Sequence, residues 1–284
     1  MGELAPTLAD SPQDMADLRR AVALLEAPTL SARMANLVGS PLEFAVRRLP
    51  AGVSRRIQGV AEAALHKAAQ AAFWSMDHTR PGKPASPRLH KLAAAASGAL
   101  GGAGGLLALA IELPLSTTII MRAVADIARS EGFDLDDFAT RQACLEVFAL
   151  GGNSGGDDAS ETGYYLARGF TTELMRHLSA ELAGTTLGGS HGLLLGLGPK
   201  EAGKWLARIV EKVAARFGVV VSEKFAAQAV PVLGAVAGAT LNTLFTGYYQ
   251  DMARGHFIVR RLERRYGFET VRLAYGAVSG RMSA

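Results

Sequence analysis

Apolar residues recur along most of this chain at the three- and four-residue steps of a helix. The clearest run is Leu241, Phe245, Tyr248, Met252, Gly255, Val259, Leu262 and Tyr266, which lays one apolar seam along several turns. Beside it, at intervals of seven, stand Asn242, Tyr249, His256 and Glu263, a polar line on one flank of the seam. The stretch holding both, residues 225–267, opens with 26 residues free of charge and closes on five arginines, Arg254, Arg260, Arg261, Arg264 and Arg265. Gly267 directly after them marks a helix C-terminus, where cations complement the helix dipole and glycine takes the turn.

The same spacing predicts helices elsewhere. Ser11-Pro12-Gln13-Asp14 and Ser40-Pro41-Leu42-Glu43 each place serine at an N-cap, proline at the first helical position and an acid after it. Ile57, Val60, Ala64, Leu65, Ala68, Ala72 and Phe73 mark a helix within residues 54–76, and the proline-rich residues 79–87 read as a linker. The boundary falls there, between an N-terminal helical arm, residues 1–85, and a helical core, residues 86–284. Ser86-Pro87 caps a helix leading into residues 92–111, 20 positions without a charge. That length suits a membrane span, but its glycines make a poor isolated helix and Glu112-Leu113-Pro114 interrupts it. Gly98, Gly101, Gly102 and Gly105 instead form a small-residue face, for which Gly234 and Gly238 offer a matching partner. An amphipathic helix follows over residues 116–130, then another opening at Asp134, Asp136 and Asp137. The glycine-rich residues 151–158 read as a loop, and residues 182–199 as a loop or reentrant segment. Residues 200–217 form a basic amphipathic helix, with Lys200, Lys204, Arg208, Lys212 and Arg216 at successive fourth positions. Only residues 219–221 look like a strand, which is too short to set a fold. The expectation is an all-α, multi-helix bundle with closely packed glycine-rich apolar helices.

Several runs carry a resemblance. Pro231 to Asn242 reads PVLGAVAGATLN, Ala253 to Gly267 reads ARGHFIVRRLERRYG, and further similarity lies in residues 112–118, in MRAVADIA at 121–128, in FALGG at 148–152 and in DDASETGYY at 157–165 with Arg168. In this wording the chain resembles the EcsC family, with residues 86–284 as the EcsC-like core. The resemblance names no reaction. It implies membrane association and a membrane-protein partner such as an ABC transporter.

Charge is segregated along the chain. Residues 1–90 hold 11 basic and 8 acidic side chains, residues 91–199 hold 6 and 12, and residues 200–284 hold 13 and 6. No helix-turn-helix, RNA-binding or zinc signature accompanies the basic third, so nucleic acid is not the expected partner. The single cysteine, Cys144, excludes an intramolecular disulfide, and the first residues show no signal-peptide pattern, so the expected location is the cytoplasm, at the inner face of the membrane.

Candidate chemistry is sparse. Gly152-Asn153-Ser154-Gly155-Gly156 matches the letters of a nucleophile elbow but lacks the strands that would strain it. Residues 198–204 nearly match a phosphate-binding loop, with Trp205 where serine or threonine is required. Glu62–His66 and Glu173–His177 are pairs able to offer metal ligands from one helix face, and as readily plain hydrogen bonds. His256 reads as a flank histidine satisfied near Glu263 or Asn242, or as a catalytic group. Glu112 and Asp126, with Arg122 between them, suggest an ion-pair network. Asp158, Glu161, Asn242 and Asp251 complete the polar candidates. The expected function is that of a membrane-associated accessory protein that binds lipid, a hydrophobic ligand or a membrane protein, without catalysis, cofactor or metal. Contact with an anionic surface falls to Lys200, Lys204, Arg208 and Lys212, with Arg260, Arg261, Arg264 and Arg265 as a second patch. The rival readings are a serine- or metal-dependent hydrolase and a purely soluble bundle.

Overall fold

A computed structural model describes residues 7–38, 50–76, 81–82, 85–86, 88–94, 105–150, 164–165, 168–169, 199–228 and 234–280. Among them there is no strand, and the expected all-α bundle is what the chain forms. After a 3-10 turn at Leu8–Asp10 come α1 (Pro12–Leu25), α2 (Leu30–Val38), α3 (Ala51–Met76), α4 (88–94), α5 (Gly105–Ser130), α6 (Phe138–Ala149), α7 (Pro199–Gln228), α8 (Gly234–Tyr266) and α9 (Phe268–Ser279).

Local chemistry explains the ends. Ser11 accepts a hydrogen bond from the Asp14 amide at 3.4 Å, with Pro12 in the first turn of α1. Asp137 caps α6 by accepting from Ala139 N at 3.1 Å. Gly267, at φ 85°, makes the turn between α8 and α9 that a residue with a Cβ would resist.

Two helices run further than the sequence suggests. α5 passes through Pro114 instead of stopping at Glu112-Leu113-Pro114. A proline within a helix forfeits one backbone bond, at about 3 kcal/mol. Here the residues after it, Ser116, Thr117, Ile120 and Met121, are buried, and Thr118 Oγ1 donates to the Pro114 carbonyl at 2.7 Å. α7 continues past Phe217 to Gln228 and absorbs the strand-like residues 219–221, of which Val220 and Val221 face the core. The Ser40-Pro41 cap lies outside the described residues.

One core joins α2, α3, α5, α6, α7 and α8, so much of the expected arm, including Ile57 to Ala72, packs into the same core as elements after residue 86. Phe148 lies at its centre, stacked on Tyr249 at 5.0 Å and edge-on to Phe217 at 5.3 Å. A second cluster joins Leu8, Leu18, Ala21 and Val22 to Tyr164, Tyr165, Ile258, Leu262, Val271 and Tyr275. α1 crosses α8 closely at Gly255, where a Cβ would stand 2.6 Å from Leu25 Cγ and 3.1 Å from the Ala21 carbonyl oxygen. Gly255 therefore belongs to the apolar seam because it has no side chain.

Candidate functional site

The polar line of α8 is buried. Asn242, 1% exposed, donates from Nδ2 to the Ala94 carbonyl at 3.2 Å and so ties α4 to α8. Tyr249 sits in the aromatic centre of the core, where burial pushes its phenol well above the ordinary range. His256 is fully buried, with Nδ1 3.0 Å from the Tyr164 hydroxyl and Nε2 3.7 Å from a Glu146 carboxylate oxygen. Glu263 receives both guanidinium nitrogens of Arg168, at 2.6 and 2.8 Å, and the Tyr165 hydroxyl at 3.3 Å. The expected neighbours of His256, Glu263 and Asn242, are thus replaced by Tyr164 and Glu146. Residues seven apart on one helix lie two turns away from each other, beyond the reach of an imidazole.

The electrostatics of this cluster fix its protons. Burial first, then the cations Arg260 and Arg168, hold the His256 pKa well below its ordinary value, so the ring is neutral. Burial raises the Tyr164 pKa to about 12, so its hydroxyl keeps its proton and shares a hydrogen bond with Nδ1, while Arg168 approaches the same oxygen at 3.5 Å. Nε2 faces Glu146 at a distance longer than a hydrogen bond. Glu146 itself accepts from Gln142 at 2.8 Å and from Arg260 at 3.2 Å. Tyr275, stacked on Tyr164, donates to Glu26 at 2.9 Å. Tyr164, Tyr165 and Arg168 therefore form an aromatic and cationic clamp on α8 and α9.

The other polar candidates are distributed differently from expectation. Glu112 pairs with Lys224 of α7 at 2.7 Å, both side chains being buried. Asp126 pairs with Arg129, accepts from the Ser86 amide at 2.6 Å and lies 3.7 Å from His90. Burial opposes ionisation of Asp126, but the nearby His90 and the hydrogen bonds from Arg129 and Ser86 outweigh it and bring the pKa to about 2. Arg122 is exposed and belongs to neither pair, so the expected single network is two separate ones. Asp251 meets Arg33 at 3.3 Å, at the protein surface. Glu62 and His66 are both exposed on α3, and among the described residues no three carboxylate, histidine or cysteine side chains converge as metal ligands. Pro199 to Lys204 are helical, so their amides do not form a phosphate-binding loop. Asp158, Glu161, Ser154, Glu173, His177, Gly98, Gly101 and Gly102 lie outside the described residues. Gly105, Gly234 and Gly238 stand in the opening turns of α5 and α8, and the surroundings of those turns also lie outside them.

The arginines closing α8 are occupied within the molecule. Arg260 binds Glu146, while Arg261 reaches Glu131 at 3.1 Å, Asp17 at 2.6 Å and Asp14 at 3.5 Å. Arg265 binds Asp14 at 3.0 Å, and Arg264 covers the Phe133 ring at 3.9 Å. Asp14 also accepts from the Tyr266 hydroxyl at 2.6 Å, the largest of the contacts that lower its pKa against the cost of burial. These cations fasten α8 to α1, to α6 and to the turn that follows α5. Arg208 and Lys212 are exposed on α7, which packs against α3 with its exposed Arg55, Arg56 and Lys67. Lys200 and Lys204 fall in the first turns of α7, where only the backbone is described.

Sequence reasoning missed Lys224, Glu146 and Asp14 as buried ions. Two carried a signal: Lys224 continues the apolar positions Phe217, Val220 and Val221 at helical spacing, and Glu146 interrupts an otherwise apolar run.

Fold and site together define an all-α bundle whose ionisable side chains are spent largely on holding helices to one another. The chain belongs to the EcsC protein family, whose model matches residues 26–262. No curated protein and no solved structure matches it.

Proposed function

We propose that this protein is a membrane-associated accessory factor that works at the inner face of the cell membrane, with the α3–α7 side of the bundle against anionic headgroups. The observation that carries this reading is the placement of charge. Leaving aside the buried Lys224–Glu112 pair, the neighbouring helices α3 and α7 hold eight of the other 29 basic side chains and four of the other 25 acidic ones, leaving 21 basic against 21 acidic over the rest of the chain. All of the net positive charge therefore resides on one pair of helices. Val219, 53% exposed, lies along the same face of α7 as Arg208, Lys212 and Ala215 and supplies an apolar contact. Among the described residues no helix is long and apolar enough to cross a membrane.

Each basic residue near an anionic surface contributes about 1 kcal/mol. Arg55, Arg56, Arg208 and Lys212 together supply about 4 kcal/mol, roughly a thousandfold in partitioning. A membrane-protein partner such as an ABC transporter, which the family resemblance suggests, would be met on the same surface. The test is cosedimentation with phosphatidylglycerol vesicles. Reversing Arg208 and Lys212 to Glu abolishes most binding under this reading, with the circular dichroism unchanged. Retained binding by that variant contradicts it.

A further inference from the structure

A groove of about 640 Å³ lies between the first turn of the chain and α9, in a part of the molecule that uses neither α3 nor α7. Its apolar wall is made by Leu8, Met15, Ala274, Ala277 and Val278, of which Leu8, Met15, Ala274 and Val278 also pack into the second hydrophobic cluster. The volume lies in the range of small-molecule sites. Every one of these residues lies outside the family match, which ends at 26 on one side and 262 on the other. What the groove holds therefore does not follow from the family match.

One charged side chain, Arg19, lines the groove. Of the arginines nearby, Arg261 is engaged by Asp14 and Asp17, Arg265 by Asp14, and Arg272 by Glu269 at 3.0 Å, and none of these lines the groove. Arg19 is exposed and has neither a hydrogen bond nor an ion pair among the described residues. The acids adjoining the lining residues are already held: Asp10 by the Thr7 hydroxyl at 2.5 Å and the Thr7 amide at 3.3 Å, Asp14 by Arg265 and Tyr266, and Glu269 by Arg272. An apolar trough with one uncommitted guanidinium complements a molecule with an apolar chain and a single anionic head.

We infer that the groove between the first turn, α1 and α9 binds a single-chain amphiphile with a carboxylate head, a long-chain fatty acid, with the chain along Leu8, Met15, Ala274 and Val278 and the carboxylate on Arg19. This does not rest on the α3–α7 reading, because a monomeric fatty acid needs no vesicle. The two fail separately: loss of vesicle binding leaves the groove untouched, and loss of fatty-acid binding leaves the cationic face untouched.

The experiment is isothermal titration of the full chain with dodecanoate below its micellar concentration, with dodecanol as the headless probe. Saturable one-to-one binding of dodecanoate is expected, with dodecanol at least about tenfold weaker, the worth of a charge-assisted hydrogen bond. Arg19→Gln brings dodecanoate down to the level of dodecanol. Ala277→Trp, at an exposed position where folding is not at stake, blocks both probes. Equal affinity for the two probes in the wild type, or dodecanoate binding unchanged by Ala277→Trp, overturns the proposal. So does a wild-type chain that takes up no dodecanoate and sediments as a dimer, which assigns the groove to a second copy of the chain.

Discussion

At the scale of single residues, the molecule is governed by a few ions and polar groups placed where water cannot reach them. Lys224 and Glu112 are the sharpest case, because each would be expelled from the core without the other. Burial lowers the lysine pKa and the carboxylate raises it again, with burial the larger effect. Lys224→Met strands a buried carboxylate and is expected to cost about 3–5 kcal/mol, most of it recovered when Glu112→Leu is added. Urea unfolding of the single and double variants checks this, and a single variant as stable as the wild type contradicts it. His256 adds a pH dependence. Its folded pKa lies well below the unfolded value near 6.5, so the unfolded chain takes up a proton that the folded chain refuses. Stability is therefore fully present above pH 6.5 and falls below it by up to about 1.4 kcal/mol per pH unit. Asp126, held at about 2, makes itself felt only between about pH 4 and 2, which leaves the histidine window clear. Melting temperatures from pH 7 to pH 5 should drop in the wild type and flatten in His256→Gln. An equal slope in both would remove His256 from the account. The polar flank of α8 was legible in the spacing of Asn242, Tyr249, His256 and Glu263. Its partners were not, since Tyr164, Glu146 and Arg168 are distant in sequence and only folding brings them together.

At the scale of elements, helical periodicity carried most of the information, and the errors came from local signals that tertiary packing overrides. The serine, proline and acid at Ser11 to Asp14 gave α1 its start, and Gly267 gave α8 its end, because caps depend on neighbours in sequence. Pro114 was read as a break because its cost is local, while the burial of Leu113, Thr117, Ile120 and Met121 that carries α5 across it is not. The valines at 219–221 look like a strand for the same reason and are held helical by the core facing Val220 and Val221. Gly255 shows the converse, an apolar position whose role is to let α1 and α8 touch. If α5 persists in spite of Pro114, then Pro114→Ala restores a backbone hydrogen bond at a partly exposed site, where little packing is lost. It should stabilise the protein by up to about 3 kcal/mol. Thermal unfolding measures it, and a lowered melting temperature would mean that the proline is needed for the shape of the helix.

At the scale of the whole molecule, the fold sorts two groups of cations that look alike in the sequence. Both the series at Arg208 and Lys212 and the series at Arg260 to Arg265 read as basic faces. In the second, Arg260 and Arg261 are held against Glu146, Glu131, Asp17 and Asp14, and the exposed Arg264 and Arg265 are engaged by Phe133 and Asp14, while the first stays on the outside of α7, the neighbour of the basic α3. The proposed membrane contact is therefore placed on α3 and α7, and the arginines of α8 serve cohesion. The most direct measurement neutralises the same number of charges at each place: Arg208→Gln with Lys212→Gln, against Arg264→Gln with Arg265→Gln, each titrated with anionic and neutral vesicles at low and high salt. At about 1 kcal/mol for each surface cation, the α7 pair should lose roughly 30-fold in affinity for anionic vesicles. The α8 pair should keep nearly all of its affinity, and salt should weaken every protein that still binds. Equal losses in the two pairs, or wild-type binding indifferent to headgroup charge and salt, would contradict the account.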